Sequence, residues 1–79
     1  MAYNNRGTVY IMQKQYQLAI NDLDQAISMD HDFAEAFANR GVAKIHMGNT
    51  DGCVDLKTAS DLGFAPAGEY FRQHCSQRQ

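Results

Sequence analysis

The chain lacks most of the features that mark strand-rich or membrane-spanning proteins. It has one proline and no tryptophan in 79 residues, and no apolar stretch approaches the roughly 18 residues of a membrane span. No run alternates polar and apolar residues over the length of a strand, so the pattern favours helices. Seven Lys and Arg stand against nine Asp and Glu, and neither sign clusters. We therefore expect neither nucleic acid nor membrane insertion.

Cysteine is also scarce. Cys53 and Cys75 are too few for a disulfide framework, and no CxxC motif or regular Cys/His spacing exists. We expect both to be reduced thiols that pack as small apolar side chains. Two alternatives stay open, namely a disulfide between them and a metal site that uses His31, His46 or His74. No cofactor is predicted.

One triplet, repeated after 34 residues, organises the rest of the chain. Asn-Arg-Gly at residues 5–7 recurs at residues 39–41, and an aromatic residue stands two positions before each copy (Tyr3 and Phe37). A period of 20–50 residues is typical of repeat proteins. The triplet therefore indicates two copies of one structural unit.

Apolar residues at three- and four-residue spacing predict five helices, at residues 2–14, 16–29, 33–47, 51–62 and 66–77. Asp32 and Glu35 look like a capping box for the third helix, and Asn49 or Thr50 is expected to cap the fourth. Pro66 suits the first turn of the fifth helix. The predicted buried faces of the second and fourth helices consist of Leu18, Ala19, Leu23, Ala26, Ile27, Val54, Leu56, Ala59 and Leu62.

These residues resemble the tetratricopeptide repeat, in which aromatic, glycine and small residues lock two helices together. The positions that carry the resemblance, and that we expect to pack the helices, are Tyr3, Gly7, Tyr10, Ala19, Leu23, Ala26, Phe37, Gly41, Leu56 and Ala59. The family usually has proline at the place of His31 and an aromatic residue at the place of Lys44. The resemblance implies one all-α domain over residues 1–79, a right-handed α-solenoid of five helices. Repeat 1 covers residues 1–31, repeat 2 residues 32–63 and a capping helix residues 64–77.

The resemblance also implies a protein–protein interaction scaffold, with the first helix of each repeat lining a concave groove. Asn at the place of Asn5 and Asn39 contacts peptide backbone in this family, and uncharged amides suit that role. The predicted peptide-binding residues are Asn4, Asn5, Thr8, Met12, Glu35, Asn39, Val42 and His46. The competing interpretation is that each Asn ties its helix to a neighbouring backbone. We expect Arg6 and Arg40 to brace helices or loops.

Two further expectations concern the first helix and the absence of catalysis. No cap precedes the first helix, so Met1, Tyr3, Tyr10, Ile11 and Met12 are expected to leave an apolar patch there. The alternatives to peptide binding are therefore a homo-oligomer, such as a homodimer through this helix, and a fragment of a longer array.

No hydroxyl is paired with a base and an orienting acid, so we expect no enzyme. No secretory signal opens the chain, and the expected location is cytoplasmic.

Overall fold

The computed structural model describes residues 2–75, and the regular structure within them is entirely α-helical. Its five helices are α1 (Ala2–Met12), α2 (Tyr16–Met29), α3 (Ala34–His46), α4 (Gly52–Asp61) and α5 (Ala65–His74). This confirms the all-α prediction and the number of helices. Helices α1, α3 and α4 end one or two residues earlier than predicted. The predicted extension of α5 to residue 77 lies outside the described residues.

The helices pack as two hairpins and one added helix. Helix α1 pairs with α2 and α3 with α4, while α3 also packs on α2 and α5 packs on α4. Below, repeat 1 means α1 with α2, and repeat 2 means α3 with α4. Helix α3, the first helix of repeat 2, thus contacts the hairpin before it, which is how repeats of this kind stack.

Small side chains fill most of the core. The fully or nearly buried apolar residues are Ala19, Ile20, Leu23, Ala26, Ala36, Ala38, Ala43, Leu56, Ala59 and Ala67. They form one cluster around α1, α2 and α3 and a second around α3, α4 and α5. Because most of these residues are alanines, neighbouring helices can approach closely.

The predicted burial of Leu18, Val54 and Leu62 was wrong, because all three side chains are exposed. Successive helical residues point about 100° apart, and Leu23 with its neighbouring alanines occupies the centre of the buried stripe of α2. Leu18 therefore falls outside the stripe, and Ile20 is buried in its place. Tyr3, predicted to pack the helices, is also exposed at the edge of repeat 1.

Two glycines let the helices of repeat 2 cross at backbone contact. A Cβ atom added to Gly41 would lie 2.6 Å from the backbone oxygen of Gly52. A Cβ atom added to Gly7 would lie 2.9 Å from Cγ of Leu23, and the nearest backbone atom, the oxygen of Ala19, would be 3.4 Å away. The sequence places Gly52 in the first turn of the predicted fourth helix but does not predict this crossing.

Gly41→Ala is expected to destabilise the protein by about 2 kcal/mol, because the new methyl group collides with backbone that cannot move aside. Gly7→Ala is the matched comparison and is expected to cost less, because its methyl group meets a side chain rather than backbone and alanine is the better helix former by about 1 kcal/mol. Urea unfolding of the two variants measures the difference. Equal stability of the two variants would refute the close crossing in repeat 2.

A residue in the left-handed conformation follows each of the helices α1, α3 and α4. Gly48 follows α3 with φ 82° and Gly63 follows α4 with φ 101°. Lys14, the residue that stands at the equivalent place after α1, has φ 62°. A side chain in this region clashes with its own backbone, whereas glycine does not.

Lys14→Gly is therefore expected to stabilise the fold by up to about 1 kcal/mol, by removing the left-handed strain. Gly48→Ala provides the opposite case and is expected to lose a similar amount. Thermal unfolding followed by circular dichroism tests both changes. A lower midpoint for Lys14→Gly than for the parent chain would show that Lys14 is not strained.

The predicted side-chain caps were wrong. The residue before α3 is Phe33 and the residue before α4 is Asp51, and neither makes a side-chain capping bond. Asn49 instead accepts the backbone N–H of Asp51 within the turn, at 2.9 Å. Pro66 lies in the first turn of α5, as predicted.

Cys53 and Cys75 form a disulfide, with an S–S distance of 2.12 Å. The expectation of two reduced thiols was wrong, and the open disulfide alternative is the one observed. The bond joins the first turn of α4 to the residue that follows α5. Sulfur in a disulfide is not the thiolate that binds metals. Residues 2–75 also hold no group of three or more His, Cys, Asp or Glu that could hold a metal ion.

Candidate functional site

Asn39 reaches from α3 across to α1. Its Nδ2 donates to Oδ1 of Asn4 at 3.0 Å and to Oγ1 of Thr8 at 3.3 Å. The Thr8 hydroxyl in turn donates to the backbone oxygen of Asn4 at 2.9 Å. Asn4 is 3% exposed. Three of the predicted peptide-binding residues therefore meet in one hydrogen-bonded cluster, which we call the amide cluster.

The two asparagines of the repeated triplet have different surroundings. Asn39 is half-buried and belongs to the amide cluster, whereas Asn5 is exposed and makes no side-chain hydrogen bond within residues 2–75. The competing interpretation, a tie to a neighbouring backbone, describes neither residue. Asn39 does tie two helices, but through side chains.

The other predicted binding residues are spread along α1 and α3. Glu35 is exposed in the first turn of α3, and Val42 packs on the second apolar cluster. Met12 and His46 are the last residues of their helices and are both exposed. The His46 ring stacks on Tyr16, with ring centroids 5.0 Å apart. The structure does not bring Met12 and His46 to the amide cluster.

Both repeats contain an arginine that clamps a buried aspartate on the second helix. Arg6 donates from Nε and Nη2 to the two carboxylate oxygens of Asp22, at 2.7 and 2.8 Å. Arg40 makes the same two-bond contact with Asp55, at 2.8 and 2.9 Å. This confirms that both arginines brace helices. The Arg6 guanidinium also holds the pKa of Asp22 below its ordinary value.

The two clamps differ in one contact. Nη1 of Arg40 donates to Asp24 of repeat 1 at 2.8 Å, so Arg40 links two repeats as well as two helices. Arg6 has no such second carboxylate within residues 2–75. The Arg6 side chain is 61% exposed and that of Arg40 is 19% exposed. Sequence reasoning missed both aspartates, although their 33-residue spacing on the buried stripe was a usable signal.

A cleft of about 430 Å³ lies beside the disulfide, between α4 and α5, and the sequence did not predict it. Its lining residues are Cys53, Val54, Lys57, Thr58, Asp61 and Phe71. Lys57 and Asp61 pair at its rim at 3.6 Å.

Stacked hairpins with matching interhelical clamps define a helical-repeat protein. Residues 1–33 match the family model described as "Tetratricopeptide repeat". Residues 1–33 thus contain a tetratricopeptide repeat, as the resemblance predicted. This repeat is a fold of protein interaction, so the chain is a protein-interaction module.

Two relatives extend the comparison. The chain is 33% identical, over 51 residues or 65% of its length, to RNA polymerase II-associated protein 3 of Xenopus tropicalis. The protein of the same name from Xenopus laevis matches at the same identity and length. The chain spans only 8% of each relative. No solved structure gives a significant match. Among residues 2–75, no helix is both long and apolar enough to cross a bilayer.

Proposed function

We propose that the chain binds an extended segment of a partner protein along the surface formed by α1 and α3, with Asn39 at its centre. The observation that carries this proposal is the amide cluster. Two hydrogen bonds from Nδ2 orient the Asn39 side chain before any ligand arrives. Binding through an ordered side chain avoids the free-energy cost of immobilising it.

The Oδ1 atom of Asn39 is the proposed contact atom. It accepts no hydrogen bond from residues 2–75, and a carboxamide oxygen is a good acceptor for a peptide N–H. Exposed Glu35 lies one turn before Asn39 on the same helix and supplies a negative charge. A segment with a Lys or Arg near its contact with Glu35 is therefore the best match.

The relatives support a protein as the ligand. Both are named for association with RNA polymerase II, which is itself a protein assembly. Met12, His46 and Asn5 were predicted to join the same groove. They take no part in the hydrogen bonds of the amide cluster, and we assign them no direct peptide contact in this proposal.

A test can start from peptides selected for binding. A phage library of random peptides is panned on the purified chain, and the affinity of selected peptides is measured by fluorescence polarisation. Asn39→Ala is expected to weaken binding about tenfold, the loss of roughly one hydrogen bond of about 1.4 kcal/mol. Glu35→Lys, at an exposed position, is expected to weaken the binding of peptides that carry Lys or Arg.

Asn21→Ala, an exposed change on α2, is the matched control and is expected to leave affinity unchanged. Circular dichroism verifies that each variant remains helical. If selected peptides bind Asn39→Ala and Glu35→Lys as tightly as the parent chain, the groove assignment is wrong.

Self-association through α1 is the second candidate function. Tyr3 and Met12 of the predicted patch are exposed, and so is Val9, which was not predicted. Tyr10 and Ile11 are instead half-buried against the first apolar cluster, and Met1 lies outside the described residues. Analytical ultracentrifugation at micromolar concentrations measures whether the chain is a monomer or an oligomer. A monomer over the whole concentration range would eliminate self-association.

A further inference from the structure

The contact between the two repeats shows which side chains of α3 pack against the preceding hairpin. Asn39 donates to Asn4 and Thr8, and Arg40 donates to Asp24. We call this side of α3 its upstream face. The residues of α3 that contribute to this face are Ala36, Asn39, Arg40, Ala43 and His46. The face is therefore polar at its centre, and repeat 1 supplies the acceptors for Asn39 Nδ2 and Arg40 Nη1.

Helix α1 carries the same face, and nothing within residues 2–75 packs on it. The equivalent residues, 34 positions earlier, are Ala2, Asn5, Arg6, Val9 and Met12, and every one of them is exposed. Asn5 and Arg6 are identical to their counterparts, Asn39 and Arg40. Arg6 keeps the clamp within its own repeat and lacks only the second carboxylate. The upstream face of α1 thus carries the same hydrogen-bond donors, on Asn5 and Arg6, that Asn39 and Arg40 use in the contact between the repeats.

We infer that the upstream face of α1 docks a helical hairpin of a partner protein that resembles repeat 1 in its exposed groups. That hairpin presents a carboxylate to Arg6, as Asp24 does to Arg40. It also presents an amide oxygen and a hydroxyl oxygen to Asn5, as Asn4 and Thr8 do to Asn39. This surface is distinct from the peptide surface proposed above.

The contact between repeat 2 and α5 shows that the pairing is selective. Repeat 2 has Ala38, Val42 and Lys57 where repeat 1 has Asn4, Thr8 and Asp24. Counted from Phe33 and Phe64, which precede α3 and α5, Tyr70 and Phe71 of α5 take the places of Asn39 and Arg40. Ala38, Val42, Tyr70 and Phe71 all belong to the second apolar cluster. At these positions the contact between the repeats is polar, whereas the contact between repeat 2 and α5 is apolar apart from Lys57.

This selectivity disfavours a second copy of the chain as the occupant. Stacked head to tail, a second copy would meet repeat 2 with its Asn5 and Arg6. Arg6 would then face Lys57, a like charge, and Asn5 would face Ala38 and Val42, which offer no side-chain acceptor. Helix α5 also covers that side of repeat 2.

A tandem protein tests the inference with a defined probe. An extra copy of residues 1–34 is placed directly before the full chain, which keeps the 34-residue spacing. The added hairpin is expected to stack on α1 and to raise the unfolding midpoint of the chain by about 5 °C, with a single cooperative transition. Because Arg6→Gln also removes the clamp on Asp22, it is made both in the tandem protein and in the single chain. We expect the added hairpin to raise the midpoint of the Arg6→Gln chain by much less than it raises that of the parent chain.

The matched control carries Asn4→Ala, Thr8→Val and Asp24→Lys in the added hairpin only. These changes give it the groups of repeat 2, and we expect no rise in the midpoint. Equal midpoints for the two tandem proteins would overturn the inference, as would a parent tandem whose hairpins unfold separately. Light scattering of the single chain completes the test. A dimer that Arg6→Gln disrupts would assign this face to a second copy and would also overturn the inference.

Discussion

Replacing Arg40 with methionine is expected to lower the free energy of unfolding by about 3 kcal/mol, since a buried carboxylate loses its principal partner. The Asp55 side chain is 7% exposed and receives two hydrogen bonds from Arg40. Lys44 Nζ, at 3.3 Å, is the other cation beside it and limits the loss. The same change also removes the Asp24 contact between the repeats. Urea unfolding at neutral pH measures the effect.

A control and a second variant make the interpretation specific. Lys57→Met removes an exposed ion pair and is expected to change stability by no more than about 0.5 kcal/mol. Adding Asp55→Asn to Arg40→Met removes the stranded charge and is expected to recover part of the loss. A cost below about 1 kcal/mol for Arg40→Met would mean that water or Lys44 already satisfies Asp55.

Loss of the disulfide is the second large effect. Cys53 and Cys75 are 22 residues apart, and opening a loop of that length gives the unfolded chain entropy worth about 3 kcal/mol. The variant with Cys53→Ser and Cys75→Ser is therefore expected to unfold at a lower urea concentration than the oxidised parent chain. Parent chain reduced with dithiothreitol should show the same loss, whereas the variant should not respond to dithiothreitol.

Thiol titration gives an independent measurement of the disulfide. The native parent chain is expected to show no free thiol before reduction and two after it. Two free thiols in the native protein, or equal stability of the oxidised and reduced chains, would contradict this prediction.

Features set by local spacing could be predicted from the sequence. The five helices, Gly7, Gly41 and the burial of Ala19, Ala26 and Ala59 follow from helical periodicity and from the family pattern. The exposed positions of Leu18 and Val54 show the limit of this reasoning. Both are apolar residues at the margin of a helical stripe, and which margin is covered depends on the neighbouring helix.

Features set by contacts between distant residues could not be predicted in the same way. The distance between Cys53 and Cys75 depends on how α5 returns along α4, which spacing does not reveal. Asn5 and Asn39 occupy identical places in the repeat and were treated as equivalent. They differ because Asn39 packs against repeat 1, whereas no repeat within residues 2–75 precedes Asn5. An alignment of the two copies does not show the position of each copy in the stack.

The polar and apolar contacts on the two sides of repeat 2 also have an evolutionary consequence. Duplicating repeat 1 in tandem creates another polar pairing, since each copy offers Asn4 and Asp24 to the Asn5 and Arg6 that follow. Duplicating repeat 2 in tandem would set Arg40 against Lys57. Gene duplication can therefore lengthen the array by adding copies of repeat 1 but not by adding copies of repeat 2. Such an array would lengthen only on the side of repeat 1.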